Sequence, residues 1–260
     1  MRIKHFFVAA LAAGLMTALF CQAAFGDTFY GWYLKKSLPR DFRSYGYRVV
    51  SKAEGHPVRH GDESMRFEVR AGDCSQKDCY RDRERHELKS EQQWSWGEEW
   101  YAWSIYLPED YPIIFPVKTA LAQFHQHKSH VVWMFQNKDG GYFVDNQVYG
   151  RTKHLRPILT DEQMRGKWND ILVHANWTHD EGTGFFRVYV NGETRPRYSW
   201  TGATKEEGRE VYFKIGIYRS FMSRRPGDEP TQIVYYDEVY RGSRCSRATK
   251  FFDCDALKAK

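Results

Sequence analysis

The chain has 260 residues, with 39 Lys and Arg against 33 Asp and Glu, a formal charge of +6. That mild excess suits an acidic partner, but no long Lys/Arg run is present to favour nucleic acid. Aromatic residues make up 17% of the chain, and long Ala/Leu/Glu runs are missing beyond the N-terminus, which points to strands rather than helices.

Taken in order, Arg2 and Lys4 precede an apolar run from Phe6 to Phe20, and the small residues Ala23, Ala24 and Gly26 follow. This is the pattern of a signal peptide over residues 1–26, cut between Ala23 and Asp27. Bulky Phe20 before Cys21 argues against lipid attachment there. A membrane span needs about 20 apolar residues, and no second candidate follows. The expectation is a secreted or periplasmic monomer without stable membrane association. Loss of Arg2 and Lys4 lowers the formal charge to +4. Residues 27–260, about 230 residues with only short elements, are expected to form one domain. Four cysteines remain, and an even count in an exported chain favours disulfides. Cys74 with Cys79 and Cys245 with Cys254 each bracket a short polar loop. A zinc site is the alternative, but neither pair has ligand spacing with a partnering His.

Alternating segments recur along the remainder. Met65, Phe67 and Val69 oppose Arg66, Glu68 and Arg70, and Trp103, Ile105 and Leu107 follow Trp100. Val131 to Phe135, Ile171 to Trp177, Phe186 to Val190 and Ile233 to Val239 continue the series. Asp139-Gly140-Gly141, Asn191-Gly192 and Pro226-Gly227-Asp228 supply turns between them. Thr160-Asp161-Glu162-Gln163 reads as a capping box opening one short helix. The sum is an all-β chain, a concanavalin-like jelly-roll sandwich of two antiparallel sheets.

Three of the segments carry chemistry on one face. Arg83, Arg85 and Glu87 share a strand face, as do Gln123, His125 and His127. On a third strand Val211, Phe213, Ile215 and Ile217 oppose Tyr212, Lys214, Gly216 and Tyr218. Such faces are either exposed or line a cleft, because unpaired buried polar groups are costly. Gly216 marks a close approach of a ligand or another backbone.

The patterns R-x-E-L at Arg85–Leu88, Q-x-H at Gln123–His125 and Y-x-K-x-G-x-Y at Tyr212–Tyr218 resemble, in that order, the signature strands of jelly-roll alginate lyases. Trp103-Ser104-Ile105-Tyr106-Leu107-Pro108, Trp168-Asn169-Asp170 and Asn191-Gly192 are similar to framing segments of the heparin lyase I and glucuronan lyase group. The likeness runs from about Arg66 to Gly242. His86 stands where Ser or Thr is usual, and Arg219-Ser220 replaces a common ending. Both departures bear on alginate as the polymer rather than on the chemistry.

The resemblance implies β-elimination on a uronic-acid polysaccharide, with glucuronan favoured. Gln123 and Arg85 would neutralise the substrate carboxylate, the guanidinium fork doing so bidentately. His125 would act as base and Tyr218 as acid, with Tyr212 a second candidate for the acid. Lys214, Tyr212, His127 and Arg219 would contact substrate. Lys214 would also lower the phenol's pKa, and Glu87 would orient Arg85. No cofactor is required. Asp237 occupies a position where related sandwiches hold a structural Ca2+. His130 and His174 read as edge or structural histidines, and the Asn176 glycosylation sequon falls inside a strand. The Arg224-Arg225-Pro226-Gly227 loop reads as a flap over the substrate or a plain hairpin. A sandwich-fold glycoside hydrolase is the alternative enzyme, needing two carboxylates about 5–10 Å apart, and no E-x-D-x-E strand supplies them. A non-catalytic carbohydrate-binding module is the third reading.

Overall fold

The alternating segments form the strands of a computed structural model that describes residues 28–29, 32–91 and 97–258. The signal peptide expected over residues 1–26 lies outside them. In chain order the strands are β1 (Thr28–Phe29), β2 (Trp32–Lys36), β3 (Tyr47–Ser51), β4 (Glu63–Val69), β5 (Arg83–Ser90), β6 (Gly97–Tyr106), β7 (Lys118–Gln126) and β8 (Val131–Lys138). They continue with β9 (Gly141–Asn146), β10 (His154–Leu159), β11 (Trp168–Trp177), β12 (Phe185–Val190), β13 (Tyr198–Thr201), β14 (Val211–Ser220) and β15 (Gln232–Gly242). Among the described residues four short α-helices, α1 (Gln76–Tyr80), α2 (Asp161–Met164), α3 (Cys245–Ala248) and α4 (Cys254–Lys258), fill connections and the C-terminal region.

One sheet has the order β1-β2-β5-β14-β7-β8-β9-β10 and the other β13-β12-β11-β6-β15-β4-β3. The paired strands run antiparallel throughout. This is the expected jelly-roll sandwich. Phe124, Phe135, Phe213, Ile215 and Ile217 face Trp103, Ile105, Val173, Trp177 and Phe186 across a closed interior. Trp133 and Phe186 stack there with centroids 3.9 Å apart and planes 1° apart. Each fully buried ring of this kind contributes about 2–3 kcal/mol.

The turn chemistry follows the residues. Asp139 and Gly140, both at positive φ, turn β8 into β9, and Asn191 and Gly192 do the same after β12. Thr160 caps α2, and Gln163 returns the bond to the Thr160 backbone N–H. Cys74–Cys79 and Cys245–Cys254 are disulfide-bonded. The second bond holds α3 and α4 over Trp100, Ala102, Leu172 and Tyr189 on the outer side of the seven-stranded sheet. Among the described residues no helix is long and apolar enough to cross a membrane.

Candidate active site

Strand β14 lies between β5 and β7, and its registers bring the three polar segments together. Tyr218 stands opposite Arg85 and Gly216 opposite Glu87 on one side. Lys214 pairs with Gln123 and Tyr212 with His125 on the other. The apolar partners of the alternation point into the sandwich, so Arg85, Glu87, Gln123, His125, Tyr212, Lys214 and Tyr218 share the outward face of the eight-stranded sheet. A β-bulge between Ile215 and Tyr218 adjusts β14 against β7 alone. Gly216 adopts φ 128°, and a Cβ there would lie 2.3 Å from the His86 carbonyl oxygen. The glycine answers to the neighbouring strand β5 rather than to a ligand.

Glu87 is the hub of the cluster. Its Oε1 accepts from Gln123 Nε2 at 2.5 Å, and its Oε2 accepts from Lys214 Nζ and, at 3.3 Å, from Arg85 Nη1. Glu87 is 2% exposed and Lys214 3%. Glu87 therefore orients three donors, two more than the sequence assigned to it. Lys214 is correspondingly not a free contact for a neighbouring sugar. Burial pulls its pKa down, while Glu87 opposes that shift.

Arg85 likewise departs from expectation. Its Nε and Nη2 grip both oxygens of Asp78 at 2.6 Å each. The bidentate fork reserved for a substrate carboxylate is thus spent on the protein. Of the five N–H groups of a guanidinium, these two bonds and the one to Glu87 leave two. Asp78 sits on α1, within the loop closed by Cys74–Cys79, and its backbone N–H donates to Ser75 Oγ at the helix start. Nothing in the sequence patterns singled Asp78 out. The held guanidinium lies 4.2 Å from the centroid of the Tyr218 ring.

His125 has its tautomer set by its own strand. Nδ1 lies 2.8 Å from the carbonyl oxygen of Gln126, which can only accept, so Nδ1 carries the proton and Nε2 keeps its lone pair. Burial pulls the pKa of the ring down to about 4, against the pull of the Gln126 bond and helped by the nearby Lys214 ammonium. The imidazole is a neutral base at any ordinary working pH. The Tyr212 ring lies beside it at 5.2 Å. Burial and then Glu87 push the Tyr212 phenol up to about 12. The Tyr218 phenol is also raised, by burial first, with Arg85 and Arg83 pulling the other way. The expected lowering by Lys214 is not found: its ammonium is 6.0 Å from the ring centroid. Tyr218 remains a phenol, able to give a proton. Beside Tyr212 the face opens into a cavity of about 300 Å³ walled by Lys35, Lys89 and Glu91.

Other assignments move. Arg219 is fully buried on the opposite side of β14, where Nε donates to Glu84 Oε2 and Nη1 donates at 2.6 Å to the Pro230 carbonyl. It is a structural ion pair, not a substrate contact. Strand parity explains this, since Arg219 follows Tyr218 and so turns inward. His127 falls just beyond β7, its backbone N–H donating to the Glu210 carbonyl. Asp237 turns both carboxylate oxygens to backbone donors: Oδ2 accepts the N–H groups of Arg59 and His60, and Oδ1 accepts that of Glu238. Among the described residues no group of three or more His, Cys, Asp or Glu side chains is placed to hold a metal. His86, the departure within R-x-E-L, is buried. Its Nδ1 donates to the Glu68 carbonyl at 2.6 Å, and its Nε2 accepts the Arg43 N–H at 3.3 Å. His174 lies in the other sheet, stacked on Trp100 and bonded to Glu98 at 3.0 Å.

The carboxylates Asp78 and Glu87 are both committed to cations or amides, whereas the imidazole, a phenol and donor N–H groups are left to act. Among known structures the chain is similar to an alginate lyase of polysaccharide lyase family 7, at 15% identity and a TM-score of 0.52 over 76% of this chain and 94% of that one. It is similar to an alginate lyase from Corynebacterium sp., at 14% and 0.52 over 77% and 82%. For an alginate lyase from Pseudomonas aeruginosa the figures are 15% and 0.52 over 78% and 88%. These likenesses show the fold. No curated protein sequence matches the chain. The family model described as polysaccharide lyase matches residues 28–240, and with that span covering the whole of the polar face, the chain belongs to the polysaccharide lyase family.

Proposed function

We propose that this lyase is an exported enzyme that cleaves a uronic-acid polysaccharide by β-elimination, with a glucuronan-like polymer favoured. The observation that carries the reading is the state of His125: a neutral ring, its Nδ1 proton committed to a carbonyl, its Nε2 free beside Gln123 and Tyr212. Nε2 takes the C5 proton next to the substrate carboxylate. The electron pair left behind forms the C4=C5 double bond, the C4–O bond breaks, and Tyr218 gives its proton to the departing oxygen. The C5 proton is weakly acidic until its neighbouring carboxylate is bound and the developing charge stabilised. The remaining N–H of Gln123 Nε2 and the two remaining N–H groups of Arg85 are suited to that task. Their orientation comes from Glu87 and Asp78, so little reorganisation is needed at the transition state.

A hydrolase would need one carboxyl group free to protonate and another free to attack or activate water. Ion-paired Asp78 and Glu87 supply neither, which favours elimination. Glucuronan is preferred over alginate because the framing segments resemble the glucuronan lyase group, while the solved alginate lyases share the fold at low identity.

The test is incubation with glucuronan, alginate, heparin and heparan sulfate, read as absorbance of the unsaturated uronate. The expected result is a rise on at least one polymer, largest on glucuronan. His125→Ala and Tyr218→Phe are each expected to lower kcat by at least about a hundredfold with the melting temperature nearly unchanged. Silence of the unaltered protein on every polymer removes the reading.

A further inference from the structure

At the Tyr218 end of the same face, Ser220 and Lys118 stand opposite each other, about 7 Å beyond Tyr218 along the strand. There the surface opens into a second cavity, of about 470 Å³. Its walls carry Lys118 from β7, Lys138 from the end of β8 and Arg224 from the turn after β14. These cations are far apart in sequence and converge only through the sheet order. Against them stands one carboxylate, Asp145 of β9. Its Oδ2 accepts from Gln136, Gln147 and Thr152 and lies 3.6 Å from Lys118 Nζ. Asp145 Oδ1 and Gln136 Oε1 have no hydrogen-bond partner, although each residue is 1% exposed and lines the cavity. A buried acceptor left without a donor destabilises the fold, and a hydroxyl donor arriving with a ligand would relieve that penalty.

Phe221 completes the cavity. It is 41% exposed and adopts φ 64°, ψ 42°, a left-handed conformation that is an outlier for a bulky side chain. Strain of this kind clusters at functional positions. The Arg224 guanidinium lies 4.4 Å from its ring centroid, so an exposed aromatic face and a cation are held side by side.

We propose that this cavity is a subsite for an anionic sugar unit next to the cleaved bond. Phe221 stacks on the ring, Lys118, Lys138 and Arg224 bind its carboxylate or sulfate, and its hydroxyls donate to Asp145 and Gln136. The proposal rests on the lyase reading and deepens it. The polymer must carry negative charge on the unit beside the one that loses its C5 proton, and it is held from the Tyr218 side.

The experiment is calorimetric titration of the full chain, in a His125→Ala background that prevents turnover. The probes are a glucuronan hexamer, carrying carboxylates only, and a heparan sulfate hexamer, carrying sulfates as well. The double variant Lys138→Ala/Arg224→Ala should weaken binding of at least one hexamer by about tenfold and flatten its salt dependence. Phe221→Gly, which removes the ring while keeping the backbone conformation, should weaken binding severalfold, and Phe221→Tyr should restore it. Loss confined to the sulfated hexamer assigns the subsite to sulfate, and equal loss on both assigns it to carboxylate. Unchanged affinities in both the double variant and Phe221→Gly overturn the proposal, as does absence of measurable binding of either hexamer before those changes. The two readings fail separately. Unsaturated product from the unaltered protein with unchanged hexamer affinities removes the subsite alone. Binding losses without product from any polymer remove the lyase reading alone.

Discussion

His125 is fit to be a base because its Nδ1–H donates to a carbonyl one residue along its own strand, leaving the Nε2 lone pair free. At the same scale, Asp78 does for Arg85 what Gln126 does for His125. The carboxylate holds the guanidinium 4.2 Å from the centre of the Tyr218 ring and so places both a donor to the substrate and a positive charge beside the proposed acid. Asp78 touches neither substrate nor reacting atoms in this scheme; it is a positioning residue. Asp78→Asn keeps the shape but loses the charge-assisted pair, and misplacement of this order costs up to about a hundredfold in rate. The expected outcome is a fall in kcat larger than any rise in KM, partly recovered by Asp78→Glu. Steady-state kinetics on the preferred polymer checks it, and an unchanged kcat would separate Asp78 from the chemistry.

Among the elements, β14 is two-sided in its duties. Its outward residues Tyr212, Lys214 and Tyr218 line the candidate site. Its inward residues Phe213, Ile215 and Ile217 build the core, and Arg219 closes the end of the sandwich on Glu84. Removing one member of a buried ion pair leaves the other charge uncompensated, which costs about 3–5 kcal/mol. Arg219→Ala should therefore lower the unfolding free energy, read from the denaturant curve, by about 3–5 kcal/mol while leaving kcat of the still-folded fraction near its original value. A loss of kcat without loss of stability would return Arg219 to the substrate. The Cys74–Cys79 loop has the reverse character. It resembles an ordinary staple, yet α1 inside it carries Asp78 to the site.

For the molecule as a whole, buried His86 and half-buried His125 of the eight-stranded sheet tie stability to pH. Burial lowers the pKa of His86, and it lowers that of His125 to about 4. An unfolded histidine titrates near 6.5, so below about that pH the unfolded chain binds protons that the fold refuses. The associated stability is intact above pH 6.5 and declines as the pH falls toward 4. For His125 the loss is up to about 3 kcal/mol. Chemical denaturation at pH 7.5 and pH 4.5 should show this decline, and His125→Gln should reduce it. An identical decline in the variant would assign the acid sensitivity to other groups.

Strand alternation, turn residues and the capping box were enough to specify an all-β sandwich, because burial of one strand face is a local property with a period of two. The same periodicity put Arg85, Gln123, His125 and Tyr218 on outward faces, and the order of their motifs indicated a lyase. Residue spacing cannot say which outward side chains already have partners. That depended on the registers of β5, β14 and β7, which gave Glu87 to Lys214 and Gln123. It depended also on the packing of α1, which gave the Arg85 fork to Asp78. Lys118, Lys138 and Arg224 lie on separate segments, so only the order β14-β7-β8-β9 makes them one wall. Partnership between residues distant in sequence is decided by sheet order and close packing, and these exist only in the folded chain.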